Sequence, residues 1–169
     1  TVAVNSVLFK EPVFVGDVAA AILVALQRGV PGRRYITSGP GIHYKDAMRL
    51  FAEIKEELPG EGTVIAGTGN YNTRESIELT REAEKLGVDG CLLVVPYYNR
   101  PTQEGLYRHF KAVADSCHLP CIMYNVPSRT SCNLAAETVI RLSNVDNIIG
   151  VKEASANFRQ IAEIIQGVP

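Results

Sequence analysis

Apolar residues in this chain fall into two patterns. Short unbroken runs of four or five alternate with longer stretches in which apolar positions recur at helical spacing. Each run followed by such a stretch reads as a strand and then a helix, and six such units follow one another. The first has a strand at Pro12–Val15, then Asp17 as the cap of an Ala/Leu/Ile-rich helix that ends before Gly29. The second has a strand at Arg34–Thr37, a turn at Ser38-Gly39-Pro40-Gly41 and a helix from about Tyr44 to Leu58. In it Ala47, Leu50, Phe51, Ile54 and Leu58 share one face, and Pro59-Gly60 stops it. The third runs from Thr63–Ala66 through Gly67-Thr68-Gly69 into a helix capped near Asn72 or Thr73, with Ile77, Ala83 and Leu86 as its apolar positions and Gly87 as its end. The fourth is Cys91–Val95, the turn Pro96–Pro101, and a helix that buries Leu106, Phe110 and Val113. The fifth is Cys121–Tyr124, a loop at Asn125–Arg129, and a helix around Ala135–Leu142. The sixth opens with Ile148-Ile149-Gly150-Val151 and continues to a helix at Phe158–Ile165. From the third unit on, strands recur about every 28 residues, the period of βα units in a parallel sheet. The expected fold class is α/β.

Composition leaves this picture in place and removes some functions. The chain has 169 residues, with 46% hydrophobic and 21% charged, as in an ordinary globular protein. Net charge is −1 and no basic stripe is visible, which argues against nucleic acid or an anionic membrane as partner. The apolar run Val13–Leu26 is too short to span a bilayer, contains Asp17, and lacks the basic flank and cleavage site of a signal peptide. The cytoplasm is therefore the expected compartment. The first residue is not Met and the last lies just past a helix, as expected of a fragment. The four cysteines, at 91, 117, 121 and 132, do not suggest a disulfide framework. Cys117-His118-Leu119-Pro120-Cys121 has a superficial metal-site look but no second ligand pair, so core and loop cysteines are expected.

One run ends unusually. Ile148-Ile149-Gly150-Val151 reads as a strand buried on both faces, and its next residue is Lys152. An ammonium kept in the sheet is desolvated, which disfavours its charged form. One that emerges at the carboxyl end of the strand stands where α/β folds place their chemistry. A neutral lysine amine forms Schiff bases with carbonyl substrates, whereas a lysine that merely snorkels to solvent does nothing. The other strand-following positions are Thr68, Tyr97, Tyr98, Tyr124 and Arg129. Tyrosine hydroxyls can pass protons beside an amine, and a guanidinium can grip a carboxylate with two parallel bonds. Rim packing for Tyr97 and Tyr98, core or capping duty for Tyr124 and a surface charge for Arg129 are the plainer readings.

From about Gly60 to Gly167 the chain resembles the dihydrodipicolinate synthase family, pyruvate-dependent class I aldolases that work through a Schiff base. The resemblance is carried by Val64-Ile65-Ala66-Gly67-Thr68-Gly69, Pro96-Tyr97-Tyr98-Asn99-Arg100-Pro101, Tyr124-Asn125-Val126-Pro127-Ser128-Arg129-Thr130 and Ile149-Gly150-Val151-Lys152-Glu153-Ala154. It implies a partial (β/α) barrel of about six strands, with an open doubly wound sheet as the alternative. By the same resemblance Lys152 would condense with pyruvate and Tyr124 would relay protons. Tyr98 would complete the relay from a neighbouring subunit, so a homo-oligomer is implied, and Arg129 would hold the carboxylate of aspartate semialdehyde. No metal or organic cofactor is needed, because the imine is the electron sink. An inhibitory lysine site would involve Glu75 and Tyr97, with Tyr71 standing where the family usually has asparagine.

The first 59 residues depart from that pattern. The family's Gly-Thr-Thr-Gly-Glu motif, which supplies a relay threonine, is absent, and only Thr37-Ser38-Gly39-Pro40-Gly41 stands nearby. Pro12–Ala19 and Arg28–Ile36 instead resemble a late segment of extended short-chain reductases and epimerases. Residues 1–59 are thus expected to be two reductase-like βα units and residues 60–169 four aldolase-like units, a chimera. Three functions compete: a synthase joining pyruvate to aspartate semialdehyde in lysine biosynthesis, a catalytically silent hybrid, and an NAD(P)-dependent reductase fragment. Gly67-Thr68-Gly69 has only the first two glycines of a dinucleotide fingerprint, and Tyr107…Lys111 imitates the reductases' Tyr-x-x-x-Lys spacing on a helix whose Phe110 is core.

Overall fold

The computed structural model of the chain describes residues 63–168. The first two strand–helix units of the sequence reading lie outside the described residues. The elements are β1 (Ile65–Gly67), α1 (Thr73–Lys85), β2 (Gly90–Val94), α2 (Gln103–Ala114), β3 (Cys121–Asn125), α3 (Pro127–Thr130), α4 (Ala136–Leu142), β4 (Ile148–Glu153) and α5 (Phe158–Gly167). All four strand–helix units expected here are present. The one added element is α3, a single turn where a loop was expected, begun by Pro127 at its first position and closed by Ser131 at φ 54°.

Every strand is parallel to its neighbour, and the order is β1-β2-β3-β4. Right-handed crossovers between adjacent parallel strands lay successive helices on the same face. A doubly wound sheet reverses its strand order part-way, and the four described strands do not. The fold is an arc of a (β/α) barrel, and the open doubly wound alternative is set aside.

The face under the helices is the core. Ala66, Cys91, Leu93, Cys121 and Met123 are at most 2% exposed, and Leu106, Phe110 and Val113 of α2, the three positions predicted from spacing, are fully buried as well. Thr102 caps that helix by accepting from the Gly105 N–H at 3.2 Å. The alternate strand positions Leu92, Val94, Ile122 and Tyr124 form the opposite face, which is half-buried.

α1 differs from the expectation in its buried stripe, which is Ser76, Thr80 and Ala83, while Ile77 is only half-buried. Small side chains let this helix lie close to the turn after β1. Ser76 Oγ accepts from the Asn70 N–H at 2.9 Å, and Thr80 Oγ1 donates to Thr68 Oγ1 at 2.8 Å. Thr68, read from sequence as a rim residue, is therefore fully buried. Gly69 belongs to the same tight region, since a Cβ there would collide with the backbone nitrogen of Val94. Asn72 caps α1 as predicted, accepting from the backbone of Arg74 and Glu75.

The sixth strand is not buried on both faces. β4 is an outer strand of the described sheet, with Ile149 63% exposed and Lys152 also exposed. Its pairing with β3 carries a register shift: Cys121 stands opposite Ile148, but Ile122 stands opposite Gly150. Ile149 is the extra residue of a β-bulge. Ile148 therefore faces the helix-side core, 6% exposed, while Gly150 and Lys152 lie on the other face with Ile122 and Tyr124.

Within the core His109 is 5% exposed, with Nδ1 sharing a 2.9 Å hydrogen bond with Thr73 Oγ1 and Nε2 unpartnered among the described residues. Burial lowers its pKa from 6.5 to about 4. The unfolded chain takes up this proton below pH ~6.5 and the folded chain refuses it until about pH 4. Stability attributable to His109 is thus complete above pH ~6.5 and falls, by up to roughly 3 kcal/mol, as the pH drops to about 4. Urea unfolding across this range should show that decline in the wild-type chain, and His109→Phe should remove it.

Candidate active site

The carboxyl ends of β3 and β4 build the site. The register sets Tyr124 opposite Lys152 on the open face of the sheet, and the Lys152 ammonium lies 4.2 Å from the centre of the Tyr124 ring. A cation over a ring face at that distance is attracted by the ring quadrupole, by about 0.5–1 kcal/mol at an exposed position. Lys152 has therefore emerged from the sheet, and the aromatic face of Tyr124 holds it.

Arg129 lies on α3, just past β3, and is exposed. Its backbone N–H is tied to the Val126 carbonyl at 2.9 Å, and its guanidinium makes no hydrogen bond or ion pair with another described residue. Tyr98 follows β2 and is 92% exposed. It sits at φ 72° and Arg100 at φ 44°, with the Asn99 N–H closing a tight turn onto the Tyr97 carbonyl at 2.9 Å. A bulky residue held at positive φ stores about 1–3 kcal/mol. Here the turn throws the Tyr98 ring outward, away from its own sheet. The fold thus brings Tyr124 and Lys152 into contact, places Arg129 on the same rim, and leaves Tyr98 pointing to solvent.

Beneath this pair lies a polar network that the sequence reading did not anticipate. Strand alternation sends Asn125 and Glu153, also opposite each other, to the helix side. Asn125 is fully buried, and its Nδ2 lies 2.9 and 3.1 Å from the two Glu153 oxygens. Gln160 of α5 donates to Glu153 Oε2 at 3.0 Å, and the Ser155 N–H donates to Oε1 at 2.8 Å. Asn133 links to both amides, accepting from Asn125 at 2.9 Å and donating to Gln160 Oε1 at 2.8 Å. Burial alone would raise the Glu153 pKa, but the hydrogen bonds from Asn125, Ser155 and Gln160 outweigh it and hold the carboxyl below its ordinary value. The available signal was an asparagine and a glutamate each directly following a predicted site residue.

The other candidates separate cleanly. Tyr71 and Tyr97 form an edge-to-face pair with centroids 5.4 Å apart, and Glu75 beside them accepts from Asn70 Nδ2 at 2.8 Å. Burial chiefly raises the Tyr97 pKa, with Tyr71 and Glu75 adding to it. Cys117 and Cys121 place their sulfurs 3.8 Å apart in the core, whereas the His118 ring turns outward, so those three residues do not converge on a metal. Burial pushes the Cys91 thiol up to about 11 despite a hydrogen bond with Thr68, and Cys121 is raised further by burial. These thiols are packing groups. Tyr107 lies under the Arg141 guanidinium at 3.5 Å, and Lys111 is paired with Asp115 at 2.7 Å. The Tyr-x-x-x-Lys spacing is thereby accounted for by helix-surface contacts. No helix among the described residues is long and apolar enough to cross a membrane.

A lysine at the carboxyl end of a parallel strand, in an arc of a (β/α) barrel, is the arrangement of a barrel protein with its chemistry at the strand-end rim. Comparison with known proteins narrows this class. Residues 38–169 match the dihydrodipicolinate synthetase family, and the chain belongs to that family. A 4-hydroxy-tetrahydrodipicolinate synthase of Dehalococcoides mccartyi is 57% identical over 129 residues, 76% of this chain and 43% of that protein. Another from Symbiobacterium thermophilum is 47% identical over 155 residues, 91% of this chain and 53% of that one. The crystal structure of the chloride-inhibited dihydrodipicolinate synthase of Acinetobacter baumannii complexed with pyruvate is 42% identical, with a TM-score of 0.70 over 75% of this chain and 45% of that one. The chain thus spans about half the length, or less, of the relatives it matches. The family match begins at residue 38, upstream of the boundary near Gly60 drawn from motifs.

Glu153 gives an acid-range prediction. Its folded pKa lies below the ordinary value of about 4.5. Its contribution to stability is therefore present above that value and lost as pH falls through the folded one. In Glu153→Gln, the loss of stability with acidification below pH ~4.5 should be shallower than in wild type when urea midpoints are compared.

Proposed function

We propose that this chain carries the Schiff-base site of a synthase that condenses pyruvate with aspartate semialdehyde, the step of lysine biosynthesis that its family resemblance implies. The observation that carries the proposal is the Lys152 amine held over Tyr124 at the strand-end rim, in a chain of this family. The Lys152 amine, in its neutral form, adds to the ketone carbon of pyruvate, and water leaves to give an imine. Loss of a proton from the pyruvate methyl gives an enamine, whose carbon attacks the aldehyde, and water then releases the product and the free lysine.

In this reading the Tyr124 hydroxyl moves protons at the imine nitrogen and the departing water. Arg129 offers a guanidinium with no partner among the described residues, which suits the semialdehyde carboxylate. Tyr98 is presented outward, as suits a residue that serves a second copy of the chain. The imine supplies the electron sink, so the scheme includes no metal or organic cofactor. A homo-oligomer follows from the Tyr98 role, and the cytoplasm from that of a biosynthetic enzyme. The reductase-like reading of the front end rests on motifs in residues 1–59; the family match begins at residue 38, and the Symbiobacterium thermophilum synthase aligns over 155 residues, so synthase similarity reaches well into that stretch.

The silent-hybrid reading is motivated by the first 59 residues, which lack the family's Gly-Thr-Thr-Gly-Glu motif. Incubation with pyruvate and borohydride, followed by peptide mass spectrometry, separates the two. The proposal expects a reduced pyruvate adduct on Lys152 that disappears in Lys152→Ala. An unmodified Lys152 in folded protein sinks it.

A further inference from the structure

We infer that the Glu153 carboxylate is a positioning residue, which holds Lys152 against Tyr124 by locking the ends of β3 and β4 from the opposite face of the sheet. The inference rests on the imine chemistry proposed above, but its physical content is geometric. Lys152 and Glu153 are consecutive on β4, and Tyr124 and Asn125 are consecutive on β3, in register. The pleat puts Lys152 and Tyr124 on the reaction face and Glu153 and Asn125 on the helix face. Glu153 therefore cannot touch a substrate on the Lys152 side, and acts only through the strand.

The chemistry of its partners explains why this position needs a carboxylate. Three groups converge on Glu153, namely Asn125 Nδ2, Gln160 Nε2 and the Ser155 N–H, and all three donate. None can be turned around at small cost. The Asn125 carbonyl oxygen already accepts from the Leu134 N–H at 3.0 Å, and the Gln160 carbonyl oxygen from Asn133 at 2.8 Å. Asn125 and Gln160 are 0% and 7% exposed. An amide at 153 would set its NH₂ group against the donors of the buried Asn125 and Gln160, leaving buried polar groups unmatched. Hydrogen bonds to a charged group are worth about 1.5–3 kcal/mol each, so the carboxylate is a strong anchor. It joins β3, β4, the loop at Asn133-Leu134 and α5 at one point. β4 needs such an anchor, because it is an outer strand of the described sheet and carries the Ile149 bulge.

Misplacement of a reacting group by about 1 Å costs on the order of 100-fold in rate. The test compares wild type, Glu153→Gln, Asn125→Asp and the exchange variant Asn125→Asp/Glu153→Gln, in which the acceptor and the donor trade places. Thr80→Val, a buried substitution remote from Lys152, reports on stability loss alone. The rate of borohydride-trapped pyruvate adduct formation is measured against pyruvate concentration, with urea midpoints in parallel.

The inference expects Glu153→Gln to lower the trapping rate at saturating pyruvate by about 10- to 100-fold with little change in half-saturation. It expects Asn125→Asp to be slower still, the exchange variant to regain at least about tenfold over the single variants, and Thr80→Val to trap at the wild-type rate. Wild-type trapping in Glu153→Gln, or an equal loss in Thr80→Val, overturns it. If the wild-type chain traps no pyruvate, the Schiff-base reading fails separately. The positioning claim is then decided by NMR, from the upfield ring-current shift that Tyr124 imposes on the Lys152 ε-protons. That shift must shrink in Glu153→Gln and return in the exchange variant, and an unchanged shift in Glu153→Gln overturns the claim.

Discussion

The pairing of β3 with β4, with one extra residue at Ile149, is the constraint on which the site depends. Strand side chains alternate, so a shift of one residue sends every later side chain to the other face. Ile148 is in the helix-side core beside Cys121, and without the bulge Lys152 would follow it there. Absorbing Ile149 lets the strand begin in the core and end with its lysine on the open face, opposite Tyr124. The same shift sends Glu153 to Asn125. One irregularity thus sorts two adjacent pairs, a reactive one and a structural one, to opposite sides of a single sheet.

That sorting separates two chemical demands. An amine that is to attack a carbonyl must be reachable and must not be tied up in an ion pair. Among the described residues Lys152 meets this with an aromatic face as its neighbour rather than a carboxylate. The carboxylate is displaced by one residue and satisfied by neutral donors. It therefore stiffens the strand end without neutralising the lysine. Other groups with functional chemistry are inert for visible reasons: burial suppresses ionisation of Cys91, Cys121 and His109, and Lys111 and Arg141 are engaged on the helix surface.

Much of this was legible in the sequence. Helical spacing marked Leu106, Phe110 and Val113, and the asparagine at 72 marked the start of α1, because both signals are local. Lys152 and Tyr124 were legible as residues that end apolar runs. The bulge was not, since Ile148-Ile149-Gly150-Val151 reads as a uniform apolar strand and only pairing with β3 reveals the extra residue. Nor was the burial of Thr68, Ser76 and Thr80, whose polar side chains satisfy one another across a turn and a helix. Hydrophobic pattern cannot see a buried polar contact. The Asn125–Glu153–Gln160 network was missed for the same reason: its members lie 28 and 7 residues apart and meet only in the fold.

The register itself is open to direct measurement. Nuclear Overhauser contacts between the Tyr124 ring protons and the Lys152 ε-protons can be read in the wild-type chain and in a variant lacking Ile149. The account predicts strong contacts in the wild type that survive the deletion, because removing the extra residue leaves Gly150 opposite Ile122 and Lys152 opposite Tyr124. Contacts that are absent in the wild type, or that are lost on the deletion, would contradict it.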